Sequence, residues 1–235
     1  MLKKTPQFRH FLQPVVNLDS LDISHYEMLS RLQNGKTAFP IITKFEEHGL
    51  SPILDIASIR SAIGYINSEA IHYPIAVNVS ASSLSSPEFY NSFKSSLELM
   101  RRPKSQLSIE ITETQPLIQS RVSDDFFKHC RTNGLKIAAD DFGTGHMNLS
   151  TLVKFPFDYV KLDGSIMVNA IKKPEYLSSV LNSIKHINSE VIIERVETKE
   201  EYELAKKAGI SKGQGYFFGK PEPVSTIEYT TKMAL

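Results

Sequence analysis

The stretch of sequence that decides the fold reads Lys136-Ile137-Ala138-Ala139-Asp140-Asp141-Phe142-Gly143-Thr144-Gly145. Its apolar first half predicts a buried strand, and that strand ends in two adjacent acids and a glycine turn. Burying an unpaired carboxylate costs several kcal/mol, so these acids need a cation, a hydrogen-bond network or a shifted pKa. The same pattern recurs at residues 107–113 and 191–197. Three strands that end in acids indicate one shared site.

Length and composition limit the classes of protein to which the chain can belong. Its 235 residues suffice for one large α/β barrel or two small domains. The formal net charge of +1 argues against a protein that mainly binds nucleic acid polymers. Cys130 is the only cysteine, so no intrachain disulfide can form, and we expect a buried structural thiol. Because the sequence shows neither a signal peptide nor a transmembrane stretch, we expect a cytoplasmic protein without membrane association.

Strand-like and helix-like segments alternate through almost the whole chain. Residues 11–18 and 23–31 predict a hairpin around Asp19-Ser20. Further strands are predicted at residues 75–80, 107–112, 136–142, 159–163, 190–196 and 215–218. Helices are predicted at residues 41–48, 53–66, 87–100, 123–133, 149–154, 174–188 and 199–208, and from about residue 224.

This alternation, with near-continuous apolar strands, implies a mostly parallel sheet covered by helices. About eight strands fit a (β/α)8 TIM-barrel-like fold better than an open sheet. The chain shows neither a linker nor a low-complexity run. We therefore predict that residues 1–235 form a single domain.

In such a barrel the carboxyl ends of the strands converge on one mouth, where the chemistry takes place. The polar residues predicted at this mouth are Glu27, Asn78, Glu110, Asp140, Asp141, Lys161 and Glu194. Carboxylate and amide oxygens are hard ligands suited to Mg²⁺ or Mn²⁺, and the absence of a His/Cys cluster disfavours zinc. Two such ions could clamp the attacking and leaving oxygens of a phosphoryl displacement, with Lys161 holding a water or neutralising phosphate charge.

Each of these residues also has a purely structural interpretation. Asp141 could cap a turn, Asn78 could satisfy backbone groups at a strand end, and Glu110 could form an internal ion pair with Lys161. All of these interpretations would have to hold at once, which favours a shared site. Lys161 could instead form a Schiff base, but neighbouring acids favour its ammonium form.

Several motifs follow one another along the chain: Gln13-Pro14-Val15-Val16, Tyr26-Glu27-Met28-Leu29-Ser30-Arg31, Asn78-Val79-Ser80, Glu110-Ile111-Thr112-Glu113, Asp140-Asp141-Phe142-Gly143-Thr144-Gly145, Lys161-Leu162-Asp163, Glu194-Arg195-Val196-Glu197 and Gln214-Gly215-Tyr216. With these motifs the chain resembles the EAL-domain cyclic di-GMP phosphodiesterases over nearly its whole length. The resemblance implies a (β/α)8-like barrel with an antiparallel early strand. It also implies hydrolysis of cyclic di-GMP to linear pGpG with Mg²⁺ or Mn²⁺, as two ions.

The resemblance further implies roles for individual residues. The implied metal ligands are Glu27, Asn78, Glu110, Asp140, Asp141 and Glu194. The implied catalytic positions are Lys161, Glu194, Glu197 and Gln214, of which Lys161 contacts the nucleophilic water and Glu194 is a candidate base. The implied substrate-binding positions are Gln13, Arg31 and Asp163. Glu113 matches a position that supports the loop after Asp141 and couples it to contacts in a homodimer.

The chain departs from the family pattern at three places. The signature triplet reads Glu27-Met28-Leu29 rather than Glu-Ala-Leu. Arg195 replaces the usual glycine between the two late glutamates and adds a cation close to the site. His146-Met147-Asn148 stands where active members have an aromatic residue and two small hydroxyl residues. This altered loop keeps a second hypothesis open, namely a module that binds cyclic di-GMP or a protein partner without turnover.

Overall fold

The computed structural model describes residues 8–68 and 71–230, and it begins with the predicted hairpin. Strands β1 (Arg9–Asn17) and β2 (Ile23–Arg31) pair antiparallel, with a register shift between Val15 and Val16. The remaining strands of the barrel are β3 (Ile75–Ser80), β4 (Leu107–Thr112), β5 (Lys136–Phe142), β6 (Tyr159–Leu162), β7 (Glu190–Ile193) and β8 (Lys212–Gln214).

Within the described residues, strands β2 to β8 run parallel in sequence order, and β1 lies between β8 and β2, antiparallel to both. This arrangement closes the sheet into a barrel. A short strand β9 (Glu222–Pro223) pairs with β1 beside the closure. The TIM-barrel-like fold with an antiparallel early strand is therefore confirmed.

Helices cover the outside of the barrel. They are α1 (Phe39–Glu47), α2 (Ser51–Asn67), α3 (Pro87–Leu97), α4 (Arg121–Thr132), α5 (Leu149–Lys154), α6 (Gly164–Lys172), α7 (Pro174–Ile184), α8 (Lys199–Lys207) and α9 (Val224–Thr230), with 3₁₀ turns at Ala81–Ser85 and Lys104–Gln106. Helix α2 shows why they pack there, because Ile59, Ala62, Ile63 and Ile66 repeat at helical spacing and are all buried. Such apolar stripes fix each helix on the sheet.

The structure corrects the predicted end of the barrel. The last strand is Lys212–Gln214, and the predicted strand at residues 215–218 is wrong, because these residues form a turn. A Cβ on Gly215 would collide with the backbone of Val196, and the Phe217 N–H donates to the Val196 carbonyl. The aromatic residues that indicated a strand instead stack beside α8, where the Phe217 and Tyr202 ring centroids lie 5.5 Å apart.

Three further element ends differ from the predictions by three residues or more. Strand β7 ends at Ile193 rather than at residue 196, because Arg195 adopts a left-handed backbone with a φ of 54°. Helices α3 and α7 end at Leu97 and Ile184, earlier than predicted. Helix α6 had no prediction, although Asp163 caps its first turn by accepting a hydrogen bond from the Ser165 N–H.

The core contains an aromatic cluster beneath α3 and α4. The rings of Phe93 and Phe126 lie 4.8 Å apart, and Phe89 packs against both. Cys130 lies buried on the same helix as Phe126, as predicted, and burial raises the pKa of its thiol. Among the described residues, no helix combines the length and apolarity that crossing a membrane requires.

Candidate active site

A buried lysine lies at the centre of the barrel mouth. The Lys161 Nζ atom is 2.8 Å from the nearest oxygens of both Glu110 and Asp140, 2.9 Å from that of Glu194 and 3.6 Å from that of Glu27. Only 1% of the Lys161 side chain is exposed. The acids come from strands β2, β4 and β5 and from the end of β7, as the alternation predicted. One ammonium group is thus shared by four carboxylates.

A row of amides holds Glu27 in place. The Asn78 Nδ2 atom donates to Glu27 Oε1 at 2.8 Å, and the Gln214 Nε2 atom donates to Glu27 Oε2 at 2.7 Å. Gln214 also donates to Gln13 Oε1 at 3.4 Å, and Gln13 donates to the Gly219 carbonyl at 3.1 Å. The β1–β2 hairpin sets this row because Gln13 and Glu27 are direct register partners. The geometry orients both oxygens of Glu27.

The site holds more carboxylates than the Lys161 ammonium can neutralise. Burial raises the pKa of Glu110 to about 8 and that of Asp140 to about 6, against the opposing pull of the Lys161 ammonium. Burial also raises the pKa of Glu194 well above its usual range. For Glu27, burial alone would raise the pKa, but the Lys161 charge and the two amide hydrogen bonds lower it.

Lys161 itself remains an ammonium. Burial alone would lower its pKa, but the charges of Asp140, Glu110 and Glu194 raise that pKa well above the usual value. A Schiff base requires a neutral amine, so the structure disfavours that alternative. The internal ion pair with Glu110 is present, yet it is one of four contacts rather than an isolated pair.

Two further groups of acids bring carboxylates close together. The first group consists of Glu113, Asp140 and Asp141, and the second consists of Asp141, Asp163 and Glu194. Within each group, one carboxylate oxygen of each residue lies within 4.8 Å of the others. Asp141 belongs to both groups and has a φ of 50°, a backbone conformation that aspartate tolerates. The family resemblance implied a substrate-binding role for Asp163 and a loop-supporting role for Glu113. It did not predict that their carboxylates lie close to those of the other acids.

The donor set fits a hard divalent cation. Asn78 uses its Nδ2 atom on Glu27, and its buried Oδ1 atom has no hydrogen-bond partner among the described residues. Within the same residues, the buried Glu110 Oε1 atom also has no hydrogen-bond partner. Such atoms are costly unless something else binds them, and oxygen ligands suit Mg²⁺ or Mn²⁺. The two oxygens therefore match a metal site that Glu27, Asp140, Asp141 and Glu194 would complete.

The metal-free protein is expected to lose stability as the pH rises from about 6.5 to 8. In this window Glu110 keeps a proton in the folded state, with a pKa of about 8, but loses it in the unfolded chain, whose pKa is near the ordinary 4.5. The folded state then binds more protons, so the free energy of unfolding falls by up to about 1.4 kcal/mol per pH unit for this group. Thermal unfolding in EDTA at several pH values measures the slope.

Saturating Mn²⁺ supplies the matched comparison, because a bound cation replaces the proton and should flatten the Glu110 contribution. A smaller slope should persist from Asp55, which burial brings to a pKa of about 7 and which hydrogen bonds to Ser83 and to the Ser80 N–H. An EDTA curve that stays level or climbs over this pH range would contradict the proposed protonation of Glu110.

The altered loop after Asp141 is well packed. The His146 N–H donates to the Glu113 carbonyl at 3.1 Å, and a Cβ on Gly145 would lie 2.8 Å from the Glu113 side chain. Met147 is buried in the core, while His146 is exposed. The backbone around Glu113 thus holds the loop although Met147 has no hydroxyl group. Met28, the other apolar departure, is also buried in the core.

Replacing Asn148 with alanine should lower the free energy of unfolding by about 1 kcal/mol. Asn148 is the N-cap of α5, and its side-chain oxygen accepts a hydrogen bond from the Thr151 N–H at 3.2 Å. Asn148→Ser, which restores a small hydroxyl residue, should retain most of this stability. Chemical denaturation of both variants measures the difference, and an Asn148→Ala protein as stable as the wild type would show that the cap contributes nothing.

A groove of about 420 Å³ lies over the acids. The residues that line it are Gln13, Glu27, Leu29, Arg31, Asp140, Asp141, Lys161, Glu194, Arg195, Glu197, Gln214, Gly215 and Tyr216. It brings together the predicted metal, catalytic and substrate-binding positions except Asn78, Glu110, Asp163 and the loop residue Glu113. Arg31 donates to the Ser30 carbonyl at 3.1 Å and lies over the Phe11 ring. Glu197 is exposed at the rim.

A second cavity of about 250 Å³ extends from Asp140 and Asp141 toward α1. Phe39 and Ile42 contribute apolar surface to it, and Glu46 contributes a carboxylate held by Ser80 and Thr114. Sequence reasoning missed this cavity because no strand-end pattern marks α1. It also gave no role to Tyr216, which follows Gln214 in a quoted motif and is half exposed beside the groove.

The sequence of this chain is similar to those of known proteins. The chain is 28% identical over 242 residues to the cyclic di-GMP phosphodiesterase PdeA of Borreliella burgdorferi, an alignment that covers 92% of this chain and 36% of that protein. It is 31% identical over 222 residues to the probable cyclic di-GMP phosphodiesterase PdeG of Escherichia coli, covering 90% of this chain and 44% of that protein. The chain thus spans less than half the length of these curated relatives.

Solved structures share the fold. The manganese and cyclic di-GMP complex of Klebsiella pneumoniae BlrP1 matches with a TM-score of 0.77 and 26% identity, over 95% of this chain and 58% of that one. The EAL domain protein from Listeria monocytogenes matches with a TM-score of 0.83 and 22% identity, over 96% of this chain and 93% of that one. The family model described as the EAL domain matches residues 2–221. The chain therefore belongs to the EAL domain family.

Proposed function

We propose that this chain is a metal-dependent phosphodiesterase that hydrolyses cyclic di-GMP to linear pGpG. The observation that carries the proposal is the charge of the barrel mouth, where four carboxylates share the single Lys161 ammonium. The unpartnered oxygens of Asn78 and Glu110 lie in the same place. A site with this excess of oxygen ligands requires divalent cations and repels an anionic substrate without them. Relatives named as cyclic di-GMP phosphodiesterases support the choice of substrate.

The metal ions would be two Mg²⁺ or Mn²⁺. The ligands proposed for them are Glu27, Asn78, Glu110, Asp140, Asp141 and Glu194. When bound, such a pair polarises the phosphoryl group and stabilises the charge that develops on the attacking and leaving oxygens. Asn78 and Gln214 fix the orientation of the Glu27 carboxylate, as their hydrogen bonds support.

The remaining groups handle the water and the substrate. Lys161 orients the attacking water as a hydrogen-bond donor, and Glu194 beside it accepts the proton. The water oxygen bonds to phosphorus as the bond to the ribose O3′ breaks, which leaves a 5′-phosphate on linear pGpG. The leaving 3′-oxygen takes a proton from solvent and becomes a hydroxyl group. Arg31 binds a substrate phosphate, and Gln13 lies toward the guanine side of the groove. Gln214 and Glu197, which also line the groove, support this arrangement.

The decisive experiment is hydrolysis of cyclic di-GMP by the purified protein with Mg²⁺, with Mn²⁺ and with EDTA, followed by separation of pGpG. We expect product with at least one metal and none in EDTA. The absence of pGpG under both metals would contradict the proposal. If calorimetry then showed micromolar binding of cyclic di-GMP, the chain would act as a binding module instead.

We further propose a homodimer formed through the region after Asp141. Helices α5 and α6 support this proposal because they expose apolar side chains, among them Val153, Val168 and Ile171. Sedimentation of the wild-type protein and of a Val153→Lys variant tests it, and a wild type that sediments as a monomer at high concentration would contradict it. We also propose that residues 1–235 form one domain, which lowers the level of the second messenger in the cytoplasm.

A further inference from the structure

The backbone of Arg195 is unusual for an arginine. Arg195 has a φ of 54°, directly between Glu194 and Val196 at the end of β7. This left-handed conformation is unfavourable for residues with a Cβ, and glycine adopts it without strain. Strain of this kind persists where the surrounding structure maintains it, and it concentrates at functional sites. Arg195 also lines the proposed active-site groove, which indicates a functional reason for this backbone conformation.

The neighbouring residues accommodate the arginine side chain. A Cβ on Gly164 would lie 2.6 Å from the Cβ of Arg195 and 2.8 Å from its Cγ, so the side chain lies across a position that only glycine leaves open. The Arg195 Nη2 atom is 3.5 Å from Asp163 Oδ2. Asp163 is buried and is itself fixed as the N-cap of α6. Arg195 is thus held at its stem and at one side of its guanidinium group.

Arg195 lines the groove, and most of its side chain is exposed to solvent. The Arg195 side chain is 68% exposed, whereas Asp163 is almost fully buried, so donors of the guanidinium remain available on the solvent side. Among the described residues that line this groove, the basic ones are Arg31, Lys161 and Arg195. Lys161 is enclosed by four carboxylates and cannot serve the outer part of a ligand. Arg31 and Arg195 are therefore the accessible cations of the groove.

The proposed substrate carries two phosphodiesters, and only one of them can react at the acids at a time. The other phosphodiester must lie over a groove lined by Glu27, Asp140, Asp141, Glu194 and Glu197, which repels an anion. A guanidinium at the rim offsets this repulsion and offers a planar pair of donors to phosphate oxygens.

We propose that Arg195 binds the second, non-reacting phosphodiester of a cyclic dinucleotide and thereby positions the ring for cleavage. The inference rests on the proposed function and extends it to a residue that selects substrates with two phosphates. Arg195 acts on binding rather than on the bond that breaks. Substrates with one phosphodiester therefore gain nothing from it.

The test compares cyclic di-GMP with bis(p-nitrophenyl) phosphate, which has one phosphodiester, in the presence of Mn²⁺. Arg195→Gly should raise KM for cyclic di-GMP roughly tenfold, the scale of one charged hydrogen bond, and leave kcat nearly unchanged. The same variant should keep the wild-type kcat/KM for the smaller substrate. Its melting temperature should rise, because glycine relieves the left-handed strain. Arg195→Lys should fall between wild type and Arg195→Gly in KM.

Lys220→Ala is the matched control, since it removes one exposed positive charge near Tyr216 outside the groove lining. It should change KM for cyclic di-GMP less than twofold. An Arg195→Gly variant with unchanged KM for cyclic di-GMP, or with equal losses on both substrates, would overturn the proposal. If the wild type binds cyclic di-GMP without turnover, the proposed function fails, and the ratio of calorimetric Kd values for wild type and Arg195→Gly then tests Arg195. A wild type that does not bind cyclic di-GMP overturns both.

Discussion

Glu27→Ala should lower kcat/KM for cyclic di-GMP by at least about 100-fold, the upper end of the loss caused by removing even an outer ligand of a metal site. Glu27 lies 6% exposed in the barrel mouth and presents both oxygens in fixed directions, because Asn78 and Gln214 donate to them at 2.8 and 2.7 Å. The variant removes the proposed metal ligand and leaves these two amides without their acceptor. Steady-state formation of pGpG with Mn²⁺ measures the effect.

Two controls separate this loss from unfolding. Glu200→Gln removes one carboxylate from the exposed surface of α8 and should keep wild-type activity and melting temperature. Calorimetric titration of Glu27→Ala with Mn²⁺ should show weakened binding, which a purely structural role of Glu27 would not produce. A folded Glu27→Ala protein with wild-type turnover would remove Glu27 from the proposed site.

Lys161→Met should destabilise the metal-free protein by about 3–5 kcal/mol, the cost of removing one partner from a buried ion pair. The ammonium has carboxylate oxygens of Glu110, Asp140 and Glu194 within 2.9 Å, and methionine occupies similar space without a charge. The carboxylates then repel one another and bind additional protons. Denaturant unfolding in EDTA measures the loss of stability.

Divalent cations should restore a large part of that stability, because they neutralise the same carboxylates, while turnover should remain low without the lysine donor. Lys136→Met is the matched control. Lys136 is also a strand lysine in an ion pair, 2.7 Å from Asp158, but it is 52% exposed, so its loss should cost at most about 1 kcal/mol. Equal destabilisation by the two substitutions would contradict the central role of Lys161.

Much of the barrel could be predicted because its strands are apolar runs with sharp ends. Strands β3, β4 and β5 match the predicted residues 75–80, 107–112 and 136–142, and each has a polar group near its carboxyl end. The prediction of the closing strand was wrong because Tyr216, Phe217 and Phe218 are residue types typical of a strand. The turn that they form depends on the close approach of Gly215 to the Val196 backbone, and this tertiary contact leaves no local sequence pattern. Helix α6 was not predicted because it begins directly after β6, with Asp163 as its N-cap, so that no loop separates the two elements.

Part of the site could be predicted by the same logic. The carboxyl ends of the parallel strands converge at one mouth of the barrel. The sequence alone therefore predicts that the side chains at these ends lie together, namely Glu27, Glu110, Asp140, Lys161 and Glu194. The convergence of strand ends does not predict which atoms are in contact. The contact between Arg195 and Asp163 depends on the left-handed backbone of Arg195 and on the space that Gly164 leaves for its side chain. Neither leaves a periodic pattern in the sequence.

The hydrogen bond between Gln214 and Glu27 joins residues 187 positions apart. During synthesis the hairpin that carries Glu27 emerges early, whereas its partner on β8 leaves the ribosome only after nearly all the other strands. Contacts of such long sequence separation form late in folding because a long loop must first close. A nascent or truncated chain that lacks β8 therefore contains most of the acids but leaves Glu27 Oε2 without its amide donor. We therefore expect the proposed hydrolysis of cyclic di-GMP only from chains whose barrel has closed.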